Sequence, residues 1–351
     1  MKRILIVAII CFLGQNLFSQ LLLDADGEGD TYELISSKLA PGRNPIEVPD
    51  CKHTDFGRHI DEIFDEELGI YVFRFHLHTN EDDDRCINFD RQRNEIKSFS
   101  GSPDSLLAVE GERFVFKWKF KIDEDFQSST KFTHLHQLKA VGGPESGLPI
   151  ITFTTREGTP DWFELRHSES TSQELITRVE IEPFKGHWCE VKETVLFGEN
   201  GTYDVEINRL SDGLSLFTYR NDNIRMWKTD ADFVRPKWGI YRSIEDIEKL
   251  RDEQVLYANF SIEENPLQTS STDNREVIEQ LQIFPNPTSQ ILNTPDLEDG
   301  LRFDIFSTNG KVVLSGLIAN QSIKLSSLPK GIYFLNIKTK GVTFVRRFVK
   351  D

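Results

Sequence analysis

The chain has 351 residues, 38% of them hydrophobic and 11% aromatic, enough to bury one sizeable core and a second small one. Its 57 acidic residues against 41 basic ones give a formal net charge of −16, a surface that repels nucleic acid and anionic membrane. An acidic ligand must therefore meet basic groups gathered in one cleft.

Lys2 and Arg3 precede an apolar run from Ile4 to Leu13 that is too short to span a bilayer, so residues 1–20 read as a secretory signal peptide. The mature chain is expected to lack a transmembrane segment, to pass through the periplasm, and to act as a monomer that is secreted or surface-attached. An exported protein could join Cys51 to Cys86 and leave Cys189 over, but spacing leaves the pairing open. The run Glu81, Asp82, Asp83 and Asp84 reads as a solvated loop, with calcium as the alternative. No Cys or His cluster has zinc-site spacing, so no cofactor is expected, and His76 and His78 lie on the polar side of a strand without an evident partner.

Between residues 21 and 264 the dominant signal is alternation with period two. Phe114, Phe116, Trp118, Phe120 and Ile122 fall on one face of a strand, and Lys117, Lys119 and Lys121 on the other. Similar runs at 71–78, 132–140, 150–155, 162–166, 188–196, 203–208, 237–242 and 255–262 are separated by Gly, Pro, Asn and Asp clusters. They predict an all-β fold of two packed antiparallel sheets. Gly186-His187-Trp188, the alternating run after it and the strand that follows residues 198–201 resemble the strand pair of concanavalin-A-like β-jelly rolls, which offer one concave sheet to a sugar chain.

Residues 265–280 are polar and aperiodic, as a linker is. Beyond them, residues 281–351 open on Phe284-Pro285-Asn286-Pro287, turn at Asn309-Gly310, begin a late strand at Gly331-Ile332-Tyr333-Phe334-Leu335, and end on a strand carrying Arg346 and Arg347. This order of landmarks resembles the C-terminal sorting domain of Bacteroidetes type IX secretion. The resemblance implies a small β-sandwich and export by that machinery, not chemistry.

Three short segments carry the functional case. On a strand, Arg91, Arg93, Glu95 and Lys97 share a face that is costly to bury and so meets water or ligand. In the second, Leu135, Gln137 and Lys139 share one face while His134, His136 and Leu138 share the other, and periodicity does not say which is inward. In the third, Lys237, Gly239, Tyr241 and Ser243 oppose Trp238 and Ile240. In this order they resemble the signature strands of alginate-lyase-like jelly-roll polysaccharide lyases, R-(S/T)-E-L-R, Q-(I/V)-H and Y-F-K-A-G-x-Y-x-Q. Lys139 stands where that family has histidine and Ser243 where it has glutamine, departures that point toward relatives such as the ulvan and glucuronan lyases.

The resemblance implies a lyase that removes the C5 proton of a uronate and expels the oxygen on C4, with ulvan as the first substrate. Arg93 and Gln137, assisted by Lys139, would hold the substrate carboxylate as charge moves onto it. Tyr241 would take the proton, protonate the leaving oxygen, or both, with its pKa lowered by Lys139, Arg93 and Lys237. Glu95 would orient Arg93, Arg91, Glu95, Lys97 and Lys237 would contact the substrate, and His134 and His136 would be catalytic or structural. A carbohydrate-binding jelly roll, or a glycoside hydrolase using Glu95 and Glu164, is the alternative.

Overall fold

The computed structural model describes residues 20–264, 283–295, 297, 299–307, 311–339 and 342–351. The chain divides into two compact units, one ending at Pro266 and the other beginning at Leu267. Among the described residues no helix is long and apolar enough to cross a membrane. The signal peptide up to residue 19, the linker at 265–280 and the Asn309-Gly310 turn lie outside these residues. Gln20, the last residue of the expected signal peptide, is the first residue of a strand and pairs with Glu263.

In the first unit the elements are β1 (Gln20–Leu23), α1 (Thr31–Leu39), β2 (Ile46–Glu47), β3 (Ile60–Asp65), β4 (Ile70–Leu77), β5 (Arg91–Lys97), β6 (Arg113–Ile122), β7 (Thr133–Val141), β8 (Ile151–Arg156), β9 (Trp162–His167), β10 (Glu174–Glu180), β11 (Cys189–Leu196), β12 (Gly201–Arg209), β13 (Ser215–Ile224), β14 (Phe233–Ser243) and β15 (Glu253–Glu264). They form a jelly roll of two packed antiparallel sheets. One sheet has the order β13-β12-β11-β6-β15-β4-β3, with β1 added to β15, and the other has the order β10-β9-β8-β7-β14-β5-β2.

Alternation builds the core between them. Phe114, Phe116, Trp118, Phe120 and Ile122 are all buried, as are Phe153, Phe163, Leu165, Trp238 and Ile240 from the facing sheet. Each large side chain so buried stabilises the fold by roughly 1.5–3 kcal/mol. Strand β13, whose sequence SLFTYRNDNI is mostly polar, was not expected; as an edge strand it buries little beyond Phe217 and Ile224. Helix α1 and strands β1, β2, β3 and β10 were likewise not anticipated, being short or bordered by polar residues.

Two irregularities in the second sheet matter for function. The pairing of β14 with β7 slips between Trp238 and Tyr241, and that of β7 with β8 slips between His134 and His136. At the first slip Gly239 has φ 142°, and a Cβ there would meet the Asn94 carbonyl oxygen at 2.0 Å, so only glycine fits. Buried Tyr257 of β15 places its hydroxyl 2.9 Å from the Leu135 carbonyl and 2.8 Å from the Gly239 carbonyl, tying both slips to the opposite sheet.

The second unit contains β16 (Ile291–Asn293), β17 (Arg302–Ser307), β18 (Val312–Leu317), β19 (Ser322–Lys324), β20 (Gly331–Thr339) and β21 (Val342–Lys350). Strands β16 and β19 form a pair, β18-β17-β20-β21 form a four-stranded sheet, and Leu292, Phe303, Ile305, Ile323, Leu335 and Phe348 make a separate core.

Candidate active site

The three signature segments are adjacent strands. Strand β14 lies between β5 and β7, with Tyr241 opposite Arg93 on one side and His134 on the other, and Lys237 between Lys97 and Gln137. Trp238, Ile240, Ile96 and Leu138 point into the core, so the face carrying Arg93, Tyr241, Gln137 and Lys237 is the open one.

A network of charges lies on this face. Glu47, from the two-residue strand β2, sits 2.6 Å from Lys237 Nζ, 2.5 Å from Lys97 Nζ, 2.6 Å from Arg85 Nη1 and 3.4 Å from Arg93 Nη1. Glu95 sits 2.6 Å from both Arg93 Nη1 and Lys237 Nζ and also accepts from Gln137 Nε2. Arg93 Nε donates to Asp84 at 2.8 Å. Burial pushes Glu47 and Glu95 toward their neutral forms, but Lys237 and Arg93 beside them outweigh it, and both carboxyls are held below the usual range.

Tyr241 lies at the end of this network. Arg91 Nη1 donates to its hydroxyl at 2.8 Å, and the Arg93 guanidinium stacks 3.6 Å above the ring centroid. Burial raises the Tyr241 pKa, and the two arginines pull it back only in part, so the phenol keeps its proton at neutral pH. The His134 ring centroid is 5.6 Å from that of Tyr241, and Phe132 stacks on His134 and packs at a tilt against Tyr241. His134 is pushed down to about 3 by burial, with Arg93 and Lys237 adding to the effect against Glu95, so its imidazole is neutral. Its buried Nδ1 has no hydrogen-bond partner.

The open face continues across β8, β9 and β10. Thr154 of β8 pairs with both His134 and Glu164, and Arg178 of β10 pairs with Glu164. Arg166 donates to Glu164 at 2.8 Å, Arg156 at 3.4 Å, and Arg178 stacks 4.0 Å above the Trp162 ring. Cations outnumber carboxylates across this sheet face, in a chain of net charge −16.

Several expectations are corrected by this geometry. Because of the slip in β7, His134 and His136 do not share a face. His136 is fully buried in the core among Trp118, Phe153 and Trp238, 2.8 Å from Glu193, out of reach of any substrate. Glu95 and Lys237, expected to contact substrate, are 1% and 3% exposed: Lys237 pairs with both Glu95 and Glu47, and Glu95 pairs with Lys237 and Arg93, so their charges are met inside the protein. Lys97 is similarly occupied by Glu47, whereas Arg91 is half-exposed. Glu95, expected to orient Arg93, lies 2.6 Å from its Nη1. Lys139 lies opposite Arg235 and donates to the Gly147 carbonyl at 2.8 Å, roughly 15 Å along the strand from His134, so it does not tune Tyr241. Burial, with Lys237, Arg235 and Arg93 nearby, pushes Lys139 down to about 8. The acidic run is not a solvated loop, since Asp82, Asp83 and Asp84 are all buried. Glu47, Arg85 and Arg235 were missed, and Asp84 was read only as part of the acidic run; Glu47 has no signal in a polar stretch, and Arg235 lies just before the third segment.

Cys51 and Cys86 are joined by a disulfide, and Cys189 is free and buried. Residues 282–351 match the family model described as a secretion system C-terminal sorting domain, which implies export to the cell surface or the medium. No curated protein matches the chain. Solved structures similar to it include an endo-β-1,4-glucuronan lyase from the fungus Trichoderma reesei, at 13% identity, TM-score 0.42, over 58% of this chain and 86% of that one. They also include a PL-14 alginate lyase from Aplysia kurodai, at 11% identity, TM-score 0.47, over 69% and 97%. A family 7 alginate lyase aligns at 12% identity, TM-score 0.44, over 66% and 98%.

Proposed function

We propose that this chain is an exported polysaccharide lyase that cleaves a uronate-containing polysaccharide by β-elimination, leaving an unsaturated uronate end. The observation that carries this reading is the Tyr241–His134 pair, set beside Arg91 and Arg93 in the middle of a basic sheet face. A uronate carboxylate is drawn to the guanidinium groups of Arg91 and Arg93, which stabilise the charge that builds as the C5 proton leaves, while buried Gln137 donates to Glu95 and holds it against Arg93. Neutral His134 accepts that proton, its basicity raised when the anionic substrate settles beside it. Tyr241, protonated in the free protein, delivers a proton to the departing oxygen on C4. Lys139 and Arg235 on one side, and Arg156, Arg166 and Arg178 on the other, receive the carboxylates of neighbouring sugars. Export through the type IX machinery supplies the enzyme to a polymer too large to enter the cell.

Distance argues against a hydrolase built on Glu95 and Glu164. Strands β5 and β9 are four strand spacings apart, so Glu95 and Glu164 are separated by roughly 19 Å across the sheet. Paired glycosidase carboxylates are about 5–5.5 Å or 6.5–9.5 Å apart. Both carboxylates are also committed to arginines.

Incubating the purified protein with ulvan first, then glucuronan, alginate and heparin-type chains, tests the proposal through the ultraviolet absorbance of the unsaturated product. New reducing ends without that absorbance would identify a hydrolase. Tight binding without chain cleavage would identify a binding module.

A further inference from the structure

Away from Tyr241, three histidines converge on one carboxylate. His53 Nδ1 and His59 Nε2 lie 3.0 and 3.1 Å from Asp82 Oδ1, and His78 Nδ1 lies 3.1 Å from Asp82 Oδ2. One ligand atom from each of the four residues falls within 4.8 Å of every other. We propose that His53, His59, His78 and Asp82 form a structural zinc site.

The geometry and the donor set both point to this ion. With zinc–ligand distances of about 2.0–2.1 Å, the edge of a coordination tetrahedron is about 3.3–3.4 Å, close to the nitrogen–oxygen separations seen here. Three imidazoles and one carboxylate suit a borderline divalent ion better than calcium, which requires more oxygen donors. His59 turns its other nitrogen, Nδ1, to Asp50 Oδ1 at 2.7 Å, the outer carboxylate that commonly orients a zinc-bound histidine. One ring facing two carboxylates, and one carboxylate collecting three rings, are all satisfied by a divalent cation with the rings neutral. Phe56 covers the group, its ring centroid 4.3 Å from His78 and 4.8 Å from His59. The Cys51–Cys86 disulfide joins the loop bearing Asp50 and His53 to the loop bearing Asp82, so the ligands are held together covalently.

Four protein ligands leave no open position, which marks a structural site. Its mechanical output is strand β5. Gln92 Nε2 donates to the Asp82 carbonyl at 3.1 Å, the Arg93 amide to the Asp83 carbonyl at 3.2 Å, and Asn94 Nδ2 to the His59 carbonyl at 2.7 Å. The ion therefore anchors the loops that hold the strand of Arg93.

The test uses the full mature chain, stripped with a chelator and titrated with Zn²⁺ and separately with Co²⁺. Uptake of one ion per chain, a higher melting temperature with Zn²⁺, and the intense visible bands of tetrahedral Co²⁺ are expected. Asp82→Asn, nearly isosteric, and His53→Ala, at a half-buried position, should each abolish the Co²⁺ bands while far-ultraviolet circular dichroism is retained. Asp50→Asn should weaken binding by about 10–100-fold. No stoichiometric uptake, uptake unaffected by both ligand variants, or preference for Ca²⁺ over Zn²⁺ would overturn the assignment. These readouts do not depend on any polysaccharide being cleaved.

Discussion

Replacing Tyr241 with phenylalanine separates chemistry from packing. The hydroxyl has one partner, Arg91 at 2.8 Å, and Arg91 keeps its paired hydrogen bonds to Asp90 at 2.7 and 2.6 Å when that partner is lost. The ring keeps the Arg93 guanidinium 3.6 Å above it and Phe132 at 5.1 Å. The stability cost should therefore be about 1 kcal/mol or less. If the phenol protonates the leaving oxygen, its removal should cost about 10²–10⁴ in kcat, equivalent to about 3–5 kcal/mol of barrier, with KM nearly unchanged. Initial rates from the ultraviolet absorbance of the unsaturated uronate, together with denaturant unfolding of the same preparation, give both quantities. A Tyr241→Phe protein that retains more than about a tenth of the wild-type kcat would refute the role of this hydroxyl.

Three further perturbations probe the surrounding structure. Lys139 is pushed down to about 8, so it is charged below that pH and neutral above it; KM for an anionic chain should rise as pH passes through about 8 in the wild type and stay flat in Lys139→Arg, and identical KM–pH profiles would exclude its contact with substrate. Glu47→Gln leaves Lys237 and Lys97 without their shared carboxylate and should destabilise the fold by about 3–5 kcal/mol at neutral pH in denaturant titration. Because the folded Glu47 carboxyl is held low, its contribution is present above the unfolded pKa of about 4.3 and is lost as pH falls below it, so the deficit should shrink in acid; a deficit under 1 kcal/mol at pH 7 would count against the network. A chain ending at residue 264 keeps the whole core of the first unit and should retain turnover, whereas a folded truncation without activity would show that the C-terminal unit contributes to catalysis.

The layered β-fold was legible in the amino-acid sequence because strand alternation is local: Phe114 to Ile122 and Trp238 to Ile240 declare their buried faces without reference to any partner. The sorting domain was legible because its turn and strand residues occur in order along the chain. Spacing showed which residues share a face within each of the three segments, and the resemblance of the segments to lyase signature strands was what grouped Arg93, Tyr241 and Gln137 together. Neither showed which histidine joins them. That depends on slips in β7 and β14 that Tyr257 of the opposite sheet stabilises, and one extra residue in a strand moves a side chain to the other face. Glu47 gains its role only by pairing with a strand nearly fifty residues later. His53, His59, His78 and Asp82 have no regular spacing because loops, joined by the Cys51–Cys86 disulfide, bring them together. Local periodicity thus determined the layers, while long-range pairing decided which strands adjoin, which face is open, and which charges are spent inside the protein.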